Sequence, residues 1–285
     1  MEILVCVKRV PMVGGKIVVT ADGQDVDTRM SGFTVSPHEE CAVEEAVRLV
    51  ERHGGSVTVL TLGPPAAADQ LRDMLALGAS RAVLLETDGR EWGPIATAEA
   101  IVAAVRGRAE PEGQAADASG CPYDLLLFGN EAADTGDYQV PVRVAHALGL
   151  PCVTGIKNLD VTVGPGDGVR NGAGGAAVTV GPGAGTSARA RREYRGTEEI
   201  FDIPLPAVIS VKEGINLPRY PSLPGRLRAK RAAIEPSVLE WHPEGLRKER
   251  LRVPAGETKR AEVLGTGADA VPALVALLDD LGVLR

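Results

Sequence analysis

Asp124-Leu-Leu-Leu-Phe-Gly-Asn-Glu-Ala-Ala-Asp134-Thr-Gly-Asp137-Tyr-Gln139-Val140 is the stretch on which the reading of this chain turns. A short apolar run ends at Gly129. A polar turn rich in carboxylates follows, and Val140, Val144, Ala147 and Leu148 then recur at helical spacing. That is the pattern of a buried parallel strand, a loop and an amphipathic helix. In open α/β sheets ligands bind at the carboxyl ends of such strands, often with phosphate at the N-terminus of the next helix. The segment therefore predicts a nucleotide pocket without naming the nucleotide.

The same grammar extends in both directions. Ile3–Val7, Val57–Leu62, Ala82–Leu85 and Leu125–Phe128 read as strands. Between them, Ala42, Val43, Ala46, Val47 and Val50 share one helical face. Leu71, Leu75 and Ala76 share a second, and Ile95, Ala98, Val102 and Val105 a third. Strands alternating with helices predict an α/β fold, with a mainly parallel sheet and helices on both faces. The segment from Val10 to Val35 interrupts the first crossover, and its Lys16-Ile-Val-Val-Thr-Ala-Asp-Gly phrase predicts a small hairpin with an Asp-Gly turn. Residues 161–190, rich in Gly and Ala, read as a flexible loop inside a hairpin. Glu198–Leu205 and Ala207–Val211 are further strands. Beyond Pro218 proline is frequent, basic residues cluster (Arg219, Arg226, Arg228, Lys230, Arg231) and no strand signal returns. Residues 1–218 are thus expected to form the nucleotide-binding domain. Residues 219–285 would form an arm ending in an amphipathic helix, Val271–Leu284, with Leu274, Leu277, Leu278 and Leu281 on one face. An arm with so little core of its own is expected to pack on a partner.

Composition narrows the function classes. Aromatics make up only 3% of the 285 residues, so the core must be built from Val, Leu, Ile and Ala. A net charge of −7 disfavours general nucleic-acid binding. Cys6, Cys41, Cys121 and Cys152 show no paired spacing, which suits reduced thiols in a cytoplasmic setting. The N-terminus lacks a signal-peptide pattern, and no run reaches the length of a membrane span, so any membrane link is expected to be indirect, through a redox partner. No nucleophile–base pair, His/Cys metal spacing or P-loop occurs.

Three segments together resemble the β subunit of electron transfer flavoproteins. Ser36-Pro-His-Glu-Glu-Cys-Ala-Val-Glu-Glu-Ala-Val-Arg-Leu49 is similar to that family's Asn-Pro-x-x-x-x-Ala-x-Glu-Glu-Ala helix start. The Gly129–Val140 loop is similar to its nucleotide loop, with Asp134 and Gln139 five apart. Arg192-Glu-Tyr-Arg-Gly-Thr-Glu-Glu-Ile-Phe-Asp-Ile-Pro-Leu-Pro-Ala-Val-Ile-Ser210, followed by Ile215-Asn-Leu-Pro-Arg-Tyr-Pro-Ser-Leu-Pro224, resembles its signature strand pair and partner-recognition loop. The resemblance runs from residue 1 to the last helix. It implies a Rossmann-like sheet of the adenine nucleotide α-hydrolase type. It also implies a heterodimer with an α subunit that holds most of a redox-active FAD, and a second nucleotide in β, either AMP or another FAD. Flavin-containing dehydrogenases and a quinone-linked or other acceptor would be the redox partners.

Carried over position by position, the resemblance assigns the nucleotide loop to Gly129, Asn130, Glu131, Asp134, Asp137, Tyr138, Gln139 and Val140. Asp134 and Gln139 would meet ribose and adenine edges, and Asp134 has a helix N-cap as its alternative role. Members that hold AMP tend to carry a hydroxyl residue where Val140 stands. Bifurcating members tend to carry Val, but followed by Gly-Pro rather than Pro141-Val142, and Val140 also lies on an apolar helix face. Cys6 and Leu62, at strand ends, would wall the pocket. Ser36 replaces the usual Asn, and Glu39 replaces a small or apolar residue with a carboxylate that should weaken the binding of a nearby phosphate. His38 would approach the flavin of the α subunit or sit solvated at a helix start, and Val13 is another flavin-facing position. Ile215 would be the docking anchor for dehydrogenases, flanked by Asn216 and Arg219, with Arg219 pairing with partner acids or simply solvated.

The expected function is therefore electron shuttling by half of a flavoprotein heterodimer, with the chain a carrier and not itself a bond-making catalyst. Two alternatives stand beside it. One is an electron-bifurcating subunit whose β-site FAD oxidises NADH. The other is a stand-alone adenine-nucleotide-binding regulatory module of the universal-stress type, against which the C-terminal arm argues.

Overall fold

A computed structural model describes residues 1–12, 17–108, 121–163, 186–234, 236–241, 248–253 and 262–284. Their elements run β1 (Glu2–Cys6), β2 (Val10–Pro11), β3 (Phe33–Thr34), α1 (Pro37–His53), β4 (Ser56–Gly63), α2 (Ala68–Leu77), β5 (Arg81–Glu86), α3 (Pro94–Gly107) and β6 (Leu125–Gly129). There follow α4 (Gln139–Leu148), β7 (Cys152–Ile156), β8 (Asn158–Thr162), β9 (Ser187–Tyr194), β10 (Thr197–Pro204), β11 (Ala207–Val211), α5 (Leu223–Arg231), β12 (Pro236–Val238) and α6 (Val271–Asp280).

Seven strands form the central sheet in the order β12-β5-β4-β1-β6-β11-β7, and every neighbouring pair in it is parallel. The near-continuous apolar runs of β1, β4 and β6 follow from burial on both faces. Ile3, Val5, Val57, Val59 and Leu127 face α1 and α2 in one core layer. Leu4, Leu60 and Leu126 face α3 and α4 in the other. The expected α/β fold, its first four strands and its three helical faces are all present.

Two strands of the central sheet were not legible. β7 contains Gly155 at φ +72°, a conformation that favours glycine, and it pairs with β11 across an irregular register. β12 corrects the expectation that no strand follows Pro218: Pro236–Val238 adds to the sheet edge beside Leu84–Glu86. Proline is tolerated there because it opens an edge strand. The start of the expected arm likewise packs on the domain. α5 lies against α2 so closely that a Cβ on Gly225 would sit 2.6 Å from the Ala76 carbonyl oxygen.

The expected strand at 198–205 is β10, and it belongs to a separate antiparallel sheet, β10-β9-β8. β8 and β9 pair antiparallel, as a hairpin requires. The Gly/Ala-rich residues 164–185 between them lie outside the described residues, as do Val13 and Lys16.

A second compact unit gathers residues 17–27, 248–253 and 262–284. In it the expected Asp-Gly turn is present: Val19 bridges Val26, and Gly23 takes φ +71°. The Leu251 N–H donates to the Gly23 carbonyl at 2.7 Å. α6 belongs to this unit, with no buried residue and with Leu274, Leu277 and Leu281 exposed.

Candidate functional site

The chain moves from β1 outward through β4 and β5, then returns to β6 on the other side of β1. The order reverses between β1 and β6, and the carboxyl ends of those two strands are where an open α/β sheet forms a ligand crevice. Cys6 and Gly129 end the two strands. The loops that follow are joined by Lys8 Nζ, which donates to Asp134 Oδ1 at 2.7 Å.

Glu39 occupies the middle of this crevice. Its Oε1 accepts the Lys8 backbone N–H at 3.0 Å and its Oε2 the Ser36 N–H at 3.2 Å. The second bond is the reciprocal half of a capping box, formed because Glu39 stands three residues after Ser36. The first reaches across to the loop after β1. Burial pushes the Glu39 carboxyl up to about 7, against the opposing pull of the Lys8 and Ser36 N–H groups. Gly129 makes room for it: a Cβ there would lie 2.6 Å from Glu39 Cγ. Burial, and then the charge of Glu39, push the Cys6 thiol far up, so Cys6 is uncharged at the end of β1. Leu62 packs beside the second core layer near the end of β4.

The loop after β6 organises itself. The Ala132 N–H donates to the Asp137 carbonyl at 3.0 Å and the Gly136 N–H to the Ala132 carbonyl at 2.7 Å. Asp137, and not Asp134, meets the start of the helix: from one residue before the N-cap Tyr138, its Oδ1 accepts the Gln139 N–H at 2.8 Å. This corrects the N-cap alternative for Asp134, whose partner is Lys8. Tyr138 donates its hydroxyl to Glu131. Gln139 Oε1 accepts two bonds from Arg143, at 3.1 and 2.7 Å. Val140 packs against the second core layer, so packing accounts for its side chain. Asn130 is a tie within the fold: its N–H donates to the Val211 carbonyl at 2.9 Å, and its Oδ1 accepts from Ser210 Oγ at 3.2 Å.

A second cluster lies along α1. His38 Nδ1 accepts the Glu213 N–H at 2.9 Å, which fixes the imidazole against the loop after β11. Asn216 Nδ2 donates to Glu45 Oε2 at 2.9 Å and to the Cys41 carbonyl at 3.0 Å. Arg219 turns inward instead of outward, pairing with Glu44 at 2.9 Å and Glu51 at 2.6 Å. Both carboxylates hold its guanidinium firmly charged. Ile215 is half-buried and packs on the first core layer, while Leu217 is 83% and Tyr220 95% exposed. Sequence reasoning missed Lys8, Glu44 and Glu51. The seven-residue spacing of the two glutamates, two helical turns on one face, was the available signal.

The crevice fits its expected occupants unevenly. Its uncharged wall at Cys6 and Leu62 suits an apolar ring. Its polar rim suits phosphate poorly, since the buried Glu39 carboxylate already takes the Lys8 and Ser36 N–H groups. Among the described residues no group of three or more His, Cys, Asp or Glu is disposed to hold a metal ion, and no helix is long and apolar enough to cross a membrane.

Comparison with known proteins covers the α1 cluster and the part of the crevice built by residues 36–140. The family model for the electron transfer flavoprotein domain matches residues 26–239. The electron transfer flavoprotein subunit beta of Bacillus subtilis is 32% identical over 243 residues, 84% of this chain and 80% of the relative. That of Syntrophomonas wolfei is 32% identical over 235 residues, 82% of this chain and 78% of the relative. Protein FixA of Azorhizobium caulinodans is 32% identical over 236 residues, 82% of this chain and 74% of the relative.

Proposed function

This chain belongs to the electron transfer flavoprotein family, on its β-subunit side, and from that premise we propose that it is the β half of an αβ electron carrier. The observation that carries the reading is the family match over residues 26–239, which takes in the loop after β6 and the loop that α1 holds in place. The FAD, held mainly by the α subunit, supplies the one- and two-electron chemistry when bound. This chain's residues exclude water, shape the interface and choose redox partners. His38, fixed by the Glu213 N–H, is the group from this chain that faces the flavin. Residues 212–220, pinned by Asn216 and Arg219, present an apolar surface to flavin-containing dehydrogenases. The leucine face of α6 is covered by the α subunit.

Val140 does not favour the NADH-oxidising alternative, because core packing accounts for it. The test is co-expression with the α subunit. A stoichiometric heterodimer carrying FAD that a flavin-containing dehydrogenase reduces is the expected result. A stable monomer that neither captures the α subunit nor acquires flavin would overturn the reading and favour the regulatory module.

A further inference from the structure

We infer that Glu39 fills the anion hole of the strand-end crevice with the protein's own carboxylate, so that the β-side site of this chain takes no nucleotide phosphate. The inference rests on the electron transfer flavoprotein reading, because that reading is what expects a nucleotide here.

The argument is one of donors and charge. Anions are held at strand ends by backbone N–H groups that point into the crevice. Here the Lys8 N–H and the Ser36 N–H both point at Glu39. Other first-turn amides of the two helices that open on the crevice are absent or already engaged, which leaves the His38 and Val140 N–H groups. In α1, Pro37 has no N–H, and the Glu39 and Glu40 N–H groups both go to the Ser36 carbonyl. In α4, the Gln139 N–H is taken by Asp137 and Pro141 has none. The Lys8 ammonium is engaged by Asp134. A phosphate entering would have to displace the buried Glu39 carboxylate from the Lys8 and Ser36 N–H groups, and beside that carboxylate like charges repel. The Glu39 stem lies flush on Gly129, which a side chain would obstruct, so the carboxylate is seated in the fold and not swung in from solvent.

The test has two parts. Nucleotides released by denaturing the purified heterodimer are chromatographed, and the full-length chain is titrated with AMP and with adenosine. Expected are no AMP in the heterodimer and an AMP affinity at least ~10-fold weaker than that of Glu39→Ala, about 1.4 kcal/mol. Adenosine affinity should change little between the two. Glu39→Gln, which keeps an acceptor and drops the charge, should also gain AMP affinity, and it decides the matter if the alanine variant does not fold. Stoichiometric AMP in the wild-type heterodimer, or equal AMP affinities for wild type and variants, would overturn the inference. The functional reading fails separately, through the absence of an FAD-bearing heterodimer, and in that case the AMP titration of the full chain still decides this point.

Discussion

Arg219 and Glu44 form a pair across the first helix in which Arg219 Nε donates at 2.9 Å and the Arg219 backbone N–H at 3.1 Å to the same carboxylate oxygen. Glu44 is 2% exposed, so this carboxylate depends on its partners. Burial alone would raise its pKa, but bonds from Arg219 and Arg48 outweigh it and hold the group below the usual carboxylate range. Arg219→Ala should cost about 2 kcal/mol, because it leaves a buried charge short of donors. A lowered carboxylate contributes stability above its unfolded pKa and loses it as pH falls through the folded value. The variant should therefore show a shallower acid loss than wild type. Urea midpoints at neutral and acid pH check both points, and an unchanged neutral midpoint would remove Arg219 as the strap of this loop.

The opposite sign applies at Glu39. Its folded pKa of about 7 lies above the ordinary 4.5, so the folded state binds the extra proton between those values. Stability then falls as pH rises through that window, by about 3 kcal/mol at most. Cys6, which faces the group, is pushed up by burial and stays neutral throughout the window. Glu39→Gln should flatten the profile between pH 4.5 and 7. A variant profile that still falls in parallel with wild type would assign the slope to other groups.

How much of this was legible in the sequence depends on the range of the forces involved. The apolar runs Ile3–Val7, Val57–Leu62 and Leu125–Phe128 announced a parallel sheet because burial on both faces leaves no polar alternation. β12 escaped because an edge strand that opens on Pro236 needs only one partner and little apolar content. At the site, the engagements of the side chains were not legible. Arg219 in a basic run reads as solvated, and only the tertiary fold brings it to Glu44 and Glu51. Asp134 reads as a possible cap by sequence, but Lys8 takes its carboxylate and Asp137 accepts the Gln139 N–H.

Gly129 needs its missing side chain for packing, since its Cβ position is 2.6 Å from Glu39 Cγ and 3.2 Å from His38 Cβ. Gly129→Ala should destabilise the chain by about 2 kcal/mol through overpacking. The double variant with Glu39→Ala should recover part of that loss, because the shorter side chain yields the space. Additive losses in thermal melts of the two single variants and the double would rule out this contact as the cause.

The last helix makes a prediction about assembly. α6 buries none of its residues, although Leu274, Leu277 and Leu281 lie along it. Removing residues 266–285 should weaken association with the α subunit while leaving the melting of residues 28–241 nearly unchanged. Analytical ultracentrifugation of the co-expressed pair measures this. A truncated chain that remains stoichiometrically bound at micromolar concentration would show that the leucine face is not the contact.

Docking of dehydrogenases separates two side chains of one loop. Ile215 packs on the first core layer, so Ile215→Ala should cost about 1 kcal/mol of stability. Leu217, 83% exposed, should cost almost nothing when cut to alanine. If the loop docks partners through its exposed surface, Leu217→Ala slows flavin reduction by a dehydrogenase several-fold with flavin content and melting unchanged. If Ile215 is the anchor, its variant slows reduction beyond what its stability loss explains, and Leu217→Ala is silent. Stopped-flow reduction of both variants, each paired with a thermal melt, decides between the two. Neither variant slowing reduction would take residues 212–220 out of the docking surface.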